Sequence, residues 1–334
     1  MDEEGFKGFC IKRNLKEETI QAHIAAIGDS EAFLKEMNPD MELSNVTGDD
    51  MDGLIAHLMK DGKNTWDNLL ALLRYTRFAE NREAEVALLE LLDGSDVLEN
   101  LSETVRHTVG ESKHAEVFAG IGLPPLGTRS ADKPRITKMF MERLEASLDE
   151  KTCREILLSG PHASPKEGYL QDRKEFLESK SIDDFLRKRH EKYVEELDRH
   201  RREKTLYFTQ QVDDEVVDFV RRTPTCQCGV REGDVIYITK IPYMAKKYLQ
   251  ENDQKKKRYY YCHCPWVREA MLTDEKISPN FCYCSAGFEK RPWDVIFDEP
   301  VRADVVETVL KGDLICKFAI HIPEKYLEPL PTHR

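Results

Sequence analysis

Cysteines occur in pairs, with one residue between them, in the C-terminal third of the chain. Seven of the nine cysteines lie after residue 225, and six of these form three C-x-C pairs. In an extended strand, residues i and i+2 point to the same face, so two pairs on neighbouring strands could surround one metal ion. Zinc or another thiolate-bound metal is the predicted cofactor, and simple core packing of the thiols is the alternative. The candidate metal ligands are Cys226, Cys228, Cys262, Cys264, Cys282 and Cys284.

Two histidines could add a ligand or a general base to these thiols. His263 lies between two cysteines of one pair, where strand alternation would point it to the opposite face. His162 lies in a GPHASP loop and could serve as a ligand or as a base. The chain contains no G-x-S-x-G, P-loop, Rossmann or H-E-x-x-H motif, so no catalytic residue is assigned. The predicted ligand pocket contains His162, His263, Tyr261 and Cys316.

Runs of β-branched and aromatic residues predict the strands that would hold these side chains. Residues 305–309 and 315–322 flank an LKGD sequence, and Gly312 within it predicts a hairpin turn. Further strands are predicted at 234–238, 258–263, 280–287 and 295–297.

The residues before residue 205 show helical periodicity instead. Apolar residues recur at spacings of three and four between 15 and 122, and a Gly- and Pro-rich stretch at 120–135 predicts a linker. Beyond it we expect helices at 136–147 and 149–158, and a long helix capped by Ser181 and Asp184. The predicted fold class is therefore α+β, with an acidic all-helical domain over 1–125 and a helix-plus-antiparallel-sheet domain over 126–334.

Charge and hydropathy restrict the partners. The 334 residues have a net charge of −12, and residues 1–110 hold 23 acidic but only 11 basic side chains. Such a surface disfavours nucleic acid, and the basic run at 255–258 is interpreted as a solvated turn rather than a phosphate-binding site. The chain has no apolar run of about 18 residues, which predicts no membrane segment. It also shows no secretory signal, so we expect a cytoplasmic protein with reduced cysteines.

The C-terminal segment, residues 282–323, resembles the end of the 4-vinyl reductase domain. Gly287 fits a glycine-containing strand of that family, and Gly312, Asp313, Cys316 and Phe318 fit its G-D-x-x-C-x-F hairpin. The resemblance implies an antiparallel sheet packed against helices, often in a dimer, which binds or senses a small molecule. Some members of the family bind zinc through the hairpin cysteines and a nearby acid.

The sequence departs from that family at two positions of the zinc site. Thr308 occupies the position of the first hairpin cysteine, and Val305 occupies that of the acid. The same segment also resembles the end of the aminothiazoline carboxylate hydrolase family, through residues 284–288 and the Gly312 hairpin. That second resemblance implies an enzyme.

Three functions follow as hypotheses. The first is a small-molecule-binding or sensor protein, which could be a homodimer, with a cysteine-rich pocket able to contain a metal. The second is a metal- or cysteine-dependent enzyme, such as an aminothiazoline carboxylate hydrolase-like enzyme, in which His162 is the candidate base. The third is a protein-interaction module with purely structural cysteines. Bound metal and the number of its ligands would discriminate among them.

Overall fold

The chain folds into two compact units, described by a computed structural model over residues 1–159 and 165–327. One unit comprises Met1–Ser95 and Leu123–Asp132, and the other comprises Asp96–Gly122 and Lys133–Arg334. The predicted division at residue 125 differs from these units, because a helix within 96–122 packs on the helices that follow residue 132. Together the elements form an α+β fold, which confirms the predicted class.

The first unit is built from five helices around one apolar core. Short polar residues begin four of them: Asp2, Thr47, Thr65 and Asn81 each accept a hydrogen bond from a backbone N–H in the first turn. The core includes Phe6, and residues from all five helices pack around it. The helices are α1 (Glu3–Ile11), α2 (Glu17–Met37), α3 (Gly48–Lys60), α4 (Trp66–Phe78) and α5 (Arg82–Leu92).

The second unit contains nine described helices. The first is interrupted at Gly110, whose φ of 82° lies in the left-handed region. Among all described helices, none combines the length with the apolar character needed to cross a bilayer. The nine are α6 (Val97–Val117), α7 (Lys133–Ser147), α8 (Glu150–Ser159), α9 (Leu170–Leu177), α10 (Ile182–Glu203), α11 (Asp214–Arg221), α12 (Ala245–Gln250), α13 (Gln254–Tyr261) and α14 (Tyr283–Ile296).

The long charged helix α10 begins where the sequence predicts it. The Ser181 side chain accepts a hydrogen bond from the backbone N–H of Asp184, while the Asp184 carboxylate accepts one from the backbone of Lys180. Its apolar stripe, which includes Phe185 and Leu186, is buried against the sheet and α14. The opposite face carries the ion pairs expected of a solvated surface.

Two antiparallel sheets complete the described part of the second unit. A two-stranded hairpin precedes a four-stranded sheet of order β3-β4-β6-β5, so β4 and β6 form its centre. The strands are β1 (Leu206–Tyr207), β2 (Gln210–Gln211), β3 (Val230–Glu232), β4 (Val235–Thr239), β5 (Ala303–Glu307) and β6 (Lys317–His321).

The predicted pairing of the last two strands is confirmed. β5 and β6 are antiparallel neighbours, with a register irregularity between Val305 and Glu307. Their connection is longer than a two-residue turn, since it contains a 3₁₀ turn, Val309–Lys311, followed by Gly312 at φ 100°. The glycine takes the left-handed conformation that the sequence predicts for this position.

The strand predicted at 258–263 is wrong, because residues 258–261 form the second half of α13. The Asp253 side chain accepts a hydrogen bond from the backbone N–H of Lys256 and so caps a helix. Tyr261 is then buried in the core, while Tyr259 and Tyr260 remain half-buried. The whole scale of β propensity spans only about 1 kcal/mol per residue. Packing of one helical face therefore outweighs the β propensity of three consecutive tyrosines.

The strands predicted at 280–287 and 295–297 are also wrong. A 3₁₀ turn, Pro279–Cys282, leads directly into α14, which extends through Ile296. Ser278 accepts a hydrogen bond from the N–H of Asn280, and Pro279 follows it, an arrangement typical of a helix start. Gly287, assigned to a strand by the sequence, lies inside this helix. A Cβ there would lie 2.4 Å from the Leu158 carbonyl oxygen of α8, so the close contact of the two helices requires glycine.

These corrections change the geometry of two C-x-C pairs. Cys262 follows the last residue of α13, and Cys264 lies in the loop beyond it. Cys282 and Cys284 lie at the start of a helix, where residues i and i+2 do not share a face. The prediction that these four cysteines lie on adjacent strands is therefore wrong.

Candidate functional site

Four of the cysteines nevertheless line one small cavity in the second unit. The end of β4, the end of α13 with its following loop, the Pro279–Cys282 turn and the β5–β6 connection each supply part of its wall. Its volume is about 10 Å³, roughly the space that one water molecule needs. The lining residues are Lys240, Tyr261, Cys262, His263, Cys264, Val267, Phe281, Cys282, Ser285, Val309 and Cys316.

Tyr261 connects the elements around the cavity. Its hydroxyl accepts a hydrogen bond from the backbone N–H of Lys240 at 3.1 Å. The carbonyl oxygens of Lys240 and Cys316 lie 2.8 and 3.3 Å from it, in position to accept its proton. Burial raises the pKa of this phenol well above its usual value, so it stays protonated. Tyr261 thus joins the end of β4 to the residue before β6 and holds one wall in place.

Thr308 joins two thiols that come from different elements. Its hydroxyl oxygen lies 2.7 Å from the Cys282 sulfur, and Thr308 is fully buried. A hydrogen bond from the same side chain also lowers the pKa of Cys316 somewhat, against the larger effect of burial. The carboxylate of Asp313 accepts a hydrogen bond from the Thr308 N–H at 2.8 Å, which closes the turn. The β5–β6 connection therefore positions both sulfurs.

Three thiols of the cavity are held in their protonated form. Burial raises the pKa of Cys262, Cys282 and Cys316, and for the first two the neighbouring thiols raise it further. The thiolate is the nucleophile in cysteine chemistry, and reactive cysteines have lowered pKa values. Without a bound cation these three sulfurs are therefore poor nucleophiles at neutral pH.

His263 contributes a neutral imidazole. Its Nε2 lies in hydrogen-bonding contact with the carbonyl oxygen of Ile241, an acceptor, so Nε2 carries the proton and Nδ1 carries the lone pair. Burial, together with the positive charges of Lys240 and Arg268, lowers the pKa of His263 to about 3. A neutral ring with one nitrogen fixed by a backbone carbonyl is the form in which histidine binds metals.

A buried ion pair lies beside the thiols. The Lys240 ammonium is 3.6 Å from a carboxylate oxygen of Glu289, and both side chains are about nine-tenths buried. Burial by itself would lower the pKa of Lys240, but the Glu289 carboxylate and nearby thiols raise it. The rings of Phe288 and Phe318 flank the ammonium at 5.1 and 5.9 Å. The charged lysine can stabilise negative charge on adjacent sulfurs.

The remaining sequence-predicted residues lie elsewhere. Cys226 and Cys228 pack in a separate apolar cluster with residues of α10 and α11, and Cys284 is buried without lining the cavity. His162 lies outside the described residues. Within residues 1–159 and 165–327, no group of three or more His, Cys, Asp or Glu side chains is arranged to hold a metal ion.

Sequence reasoning missed Lys240, Glu289 and Thr308. Lys240 follows the apolar strand β4 directly, and a lysine at such a position is usually solvated, so only the fold identifies it as buried. Glu289 and Phe288 lie in α14, and two helices, α12 and α13, separate them from Lys240 in the sequence. Thr308 did carry a signal, because it occupies the position where the resembled family has a cysteine.

Comparison with protein-family models, with curated proteins and with solved structures gave no match. The resemblances to the 4-vinyl reductase domain and to aminothiazoline carboxylate hydrolases therefore stay predictions.

Proposed function

We propose that the protein binds a single thiolate-preferring metal ion in the cysteine-lined cavity, with zinc as the ion to test. The observation that carries this proposal is the shared wall of Cys262, Cys264, Cys282 and Cys316 around a space of one-water size. Such a space suits an ion and is far below the roughly 300 Å³ of an ordinary organic-ligand pocket. Cysteine thiolates are the preferred ligands of zinc and other soft cations.

The groups around the thiols support this proposal. The Nδ1 lone pair of His263 offers a nitrogen donor, and its Nε2–H contact with a backbone carbonyl resembles the outer contact that orients metal-binding histidines. Binding requires the thiols to lose their protons, and the Lys240 ammonium would partly compensate the charge that results. The sulfurs must also turn about their Cα–Cβ bonds, because no three donors are arranged around one point in the described residues.

The enzyme hypothesis receives less support. A cysteine nucleophile needs a lowered pKa, and the buried thiols of this cavity have raised ones. The cavity also leaves little room for a substrate beside the sulfurs. A binding protein, with the ion as its ligand, is the function that the geometry favours.

Zinc titration of the reduced, metal-free full-length protein, in competition with a chromophoric chelator, tests this proposal. We expect one equivalent to bind, and we expect Cys282→Ala to weaken binding at least about tenfold. Cys10→Ala is the control, because Cys10 is also buried but belongs to the other unit. Cys228→Ala tests the pair that packs elsewhere, and it should also bind like wild type. Unchanged affinity in Cys282→Ala would contradict the proposal.

A further inference from the structure

We propose that helices α12 and α13 together bind a short, carboxylate-rich segment of a partner protein. The binding surface, which we call the basic face, consists of five cations and of two tyrosine rings that position two of them. None of its residues lines the cysteine cavity, so binding there does not depend on the proposed metal site. The cations are Lys247, Lys256, Lys257, Arg258 and Lys311, and the rings are those of Tyr248 and Tyr260.

Positive charge is concentrated in these two helices, although the whole chain has a net charge of −12. Residues 246–258 hold six basic and only two acidic side chains. The sequence suggested a solvated turn at 255–258, but these residues lie in α13, which packs against α12. The basic run and the lysines of α12 are therefore brought together by helix packing.

Two lysines of the basic face are held by aromatic rings of the opposite helix. The ammonium of Lys247, in α12, lies 5.8 Å from the ring centre of Tyr260, in α13. The ammonium of Lys257, in α13, lies 5.2 Å from the ring centre of Tyr248, in α12. Cation–π contacts of this length attract the cation but do not neutralise its charge. Both ammonium groups are therefore positioned before a ligand arrives, which lowers the entropy that binding costs.

Neighbouring lysines in the same helices are neutralised instead. Lys246 pairs with Asp213 at 3.0 Å, and Lys255 pairs with Asp274 at 3.9 Å. In the part of the chain that the structure describes, the five cations of the basic face have no such carboxylate partner. Their charge is therefore available to an acidic ligand.

The basic face continues to the connection between β5 and β6. The guanidinium of Arg258 donates a hydrogen bond to the carbonyl oxygen of Gly312 at 3.4 Å, and the exposed Lys311 precedes that glycine. The two acids between the helices, Glu251 and Asp253, accept hydrogen bonds from backbone N–H groups at the start of α13. Since α13 has eight residues, about four extended residues of a ligand cover its length.

The tyrosine rings favour carboxylates over nucleic acid as the ligand. Tyr248 is only 9% exposed, and its ring also packs against that of Tyr261. Tyr260 is half-buried and contacts the ring of Tyr259 as well as Lys247. Single-stranded nucleic acid is bound through bases that stack on open aromatic rings, and a net charge of −12 repels a long polyanion. The basic face thus offers charge without a stacking surface.

Fluorescence anisotropy with the full-length protein and a fluorescein-labelled octaglutamate peptide tests this proposal. We expect saturable binding at about 20 mM salt that weakens at least about tenfold at about 200 mM, because salt screens exposed charges. At the lower salt concentration, Lys247→Gln combined with Lys257→Gln should weaken binding at least about fivefold. Tyr260→Leu, which keeps every charge but removes the ring beneath Lys247, should weaken it about twofold to threefold.

Lys246→Gln combined with Lys255→Gln is the matched control. It removes two lysines from the same helices, but both already have carboxylate partners, so binding should change less than about twofold. Thermal melts of all variants check that they remain folded.

Four results would overturn the proposal. The first is the absence of salt-sensitive peptide binding by wild type, and the second is an equal loss of binding in the two double variants. The third is unchanged binding in Tyr260→Leu, which would show that the rings do not position the cations. The fourth is tighter binding of a single-stranded RNA octamer than of octaglutamate, which would make nucleic acid the ligand of the basic face.

Discussion

The hydroxyl oxygen of Thr308 lies 2.7 Å from the sulfur of Cys282, although 26 residues separate them. The contact joins the turn before α14 to the connection between β5 and β6. The same hydroxyl accepts a hydrogen bond from the N–H of Leu310 at 3.3 Å and so begins the 3₁₀ turn. One buried side chain therefore determines both the shape of the hairpin connection and the position of a cavity thiol.

Replacement of Thr308 by valine should destabilise the protein. The variant keeps the shape of the side chain but leaves the Leu310 N–H without its acceptor. We expect the free energy of unfolding to fall by about 1–3 kcal/mol, measured by urea denaturation. Thr104→Val is the control, because the Thr104 hydroxyl bonds only to a carbonyl of its own helix. Equal effects of the two variants would contradict a special role for Thr308.

Replacement of Gly312 by valine should strain the β5–β6 connection. Gly312 has a φ of 100°, and no atom lies within 4 Å of where a Cβ would be, so the effect comes from the backbone alone. A β-branched residue at this φ should lower the free energy of unfolding by about 1–3 kcal/mol. Gly122→Val, also in open space but without a positive φ, should cost much less. A thermal melt identical to that of wild type would contradict the assigned turn.

Two glycine-to-alanine variants should change stability in opposite directions. At Gly287 a Cβ would lie 2.4 Å from the Leu158 carbonyl oxygen, so alanine should force α14 and α8 apart and cost about 1–3 kcal/mol. At Gly28, inside α2, a Cβ meets nothing within 4 Å. Alanine there should stabilise its helix by about 0.5–1 kcal/mol. Urea denaturation of both variants checks the signs, and a stabilising Gly287→Ala would show that the two helices are farther apart.

Removal of Lys240 should cost more than removal of the whole ion pair. Lys240→Met leaves the Glu289 carboxylate buried without its cation, which typically costs about 3–5 kcal/mol. Combining Lys240→Met with Glu289→Leu replaces both charges by apolar groups, and we expect at least half of the lost stability to return. Chemical denaturation of the two single variants and the double variant gives the coupling energy. Additive effects would show that the pair does not interact.

The first unit should become less stable as the pH falls below about 6.5. His23 is buried, and a guanidinium nitrogen of Arg74 lies 3.1 Å from its Nε2. Burial and Arg74 lower the pKa of His23 below the value of an unfolded chain, with Asp67 opposing them. The unfolded state therefore binds the additional proton first, so stability decreases as the pH falls through this range.

Denaturation of wild type and His23→Gln at pH 7 and pH 5 measures this effect. The free energy of unfolding should differ less between the two pH values in the variant than in wild type, because glutamine does not titrate. His107→Gln, which changes an exposed histidine, should keep the wild-type difference. If the pH dependence of stability is unchanged in His23→Gln, it arises from groups other than His23.

Sequence reasoning succeeded where local signals and tertiary packing agree. The capped helix α10, the glycine at φ 100° and the antiparallel pairing of β5 with β6 each follow from residues close together in the chain. It failed at α13 and at the start of α14, where runs rich in Tyr, Phe and Cys suggested strands. The helix-starting residues Asp253, Ser278 and Pro279 were the better signals, because a cap satisfies backbone groups that side-chain propensity does not.

The cavity could be predicted only in part. Tyr261, His263 and Cys316 line it, as the pocket prediction requires, and so do three of the six C-x-C cysteines, Cys262, Cys264 and Cys282. The charged neighbours Lys240 and Glu289 could not be predicted, because their burial depends on contacts between β4 and α14 that no local pattern encodes. Spacing thus identified the thiols but not the elements that hold them.

The central pairing of β4 with β6 determines when this cavity can form during folding. α12, α13 and α14 all lie between these two strands in the sequence, so their pairing closes a long loop. Contacts of this kind form slowly, and on a ribosome β4 has no β6 to pair with until the three helices have been synthesised. Because the four cysteines of the cavity lie within that loop, the thiols should stay open to solvent until the two strands pair. The metal ion proposed above would then reach all four sulfurs before the cavity closes.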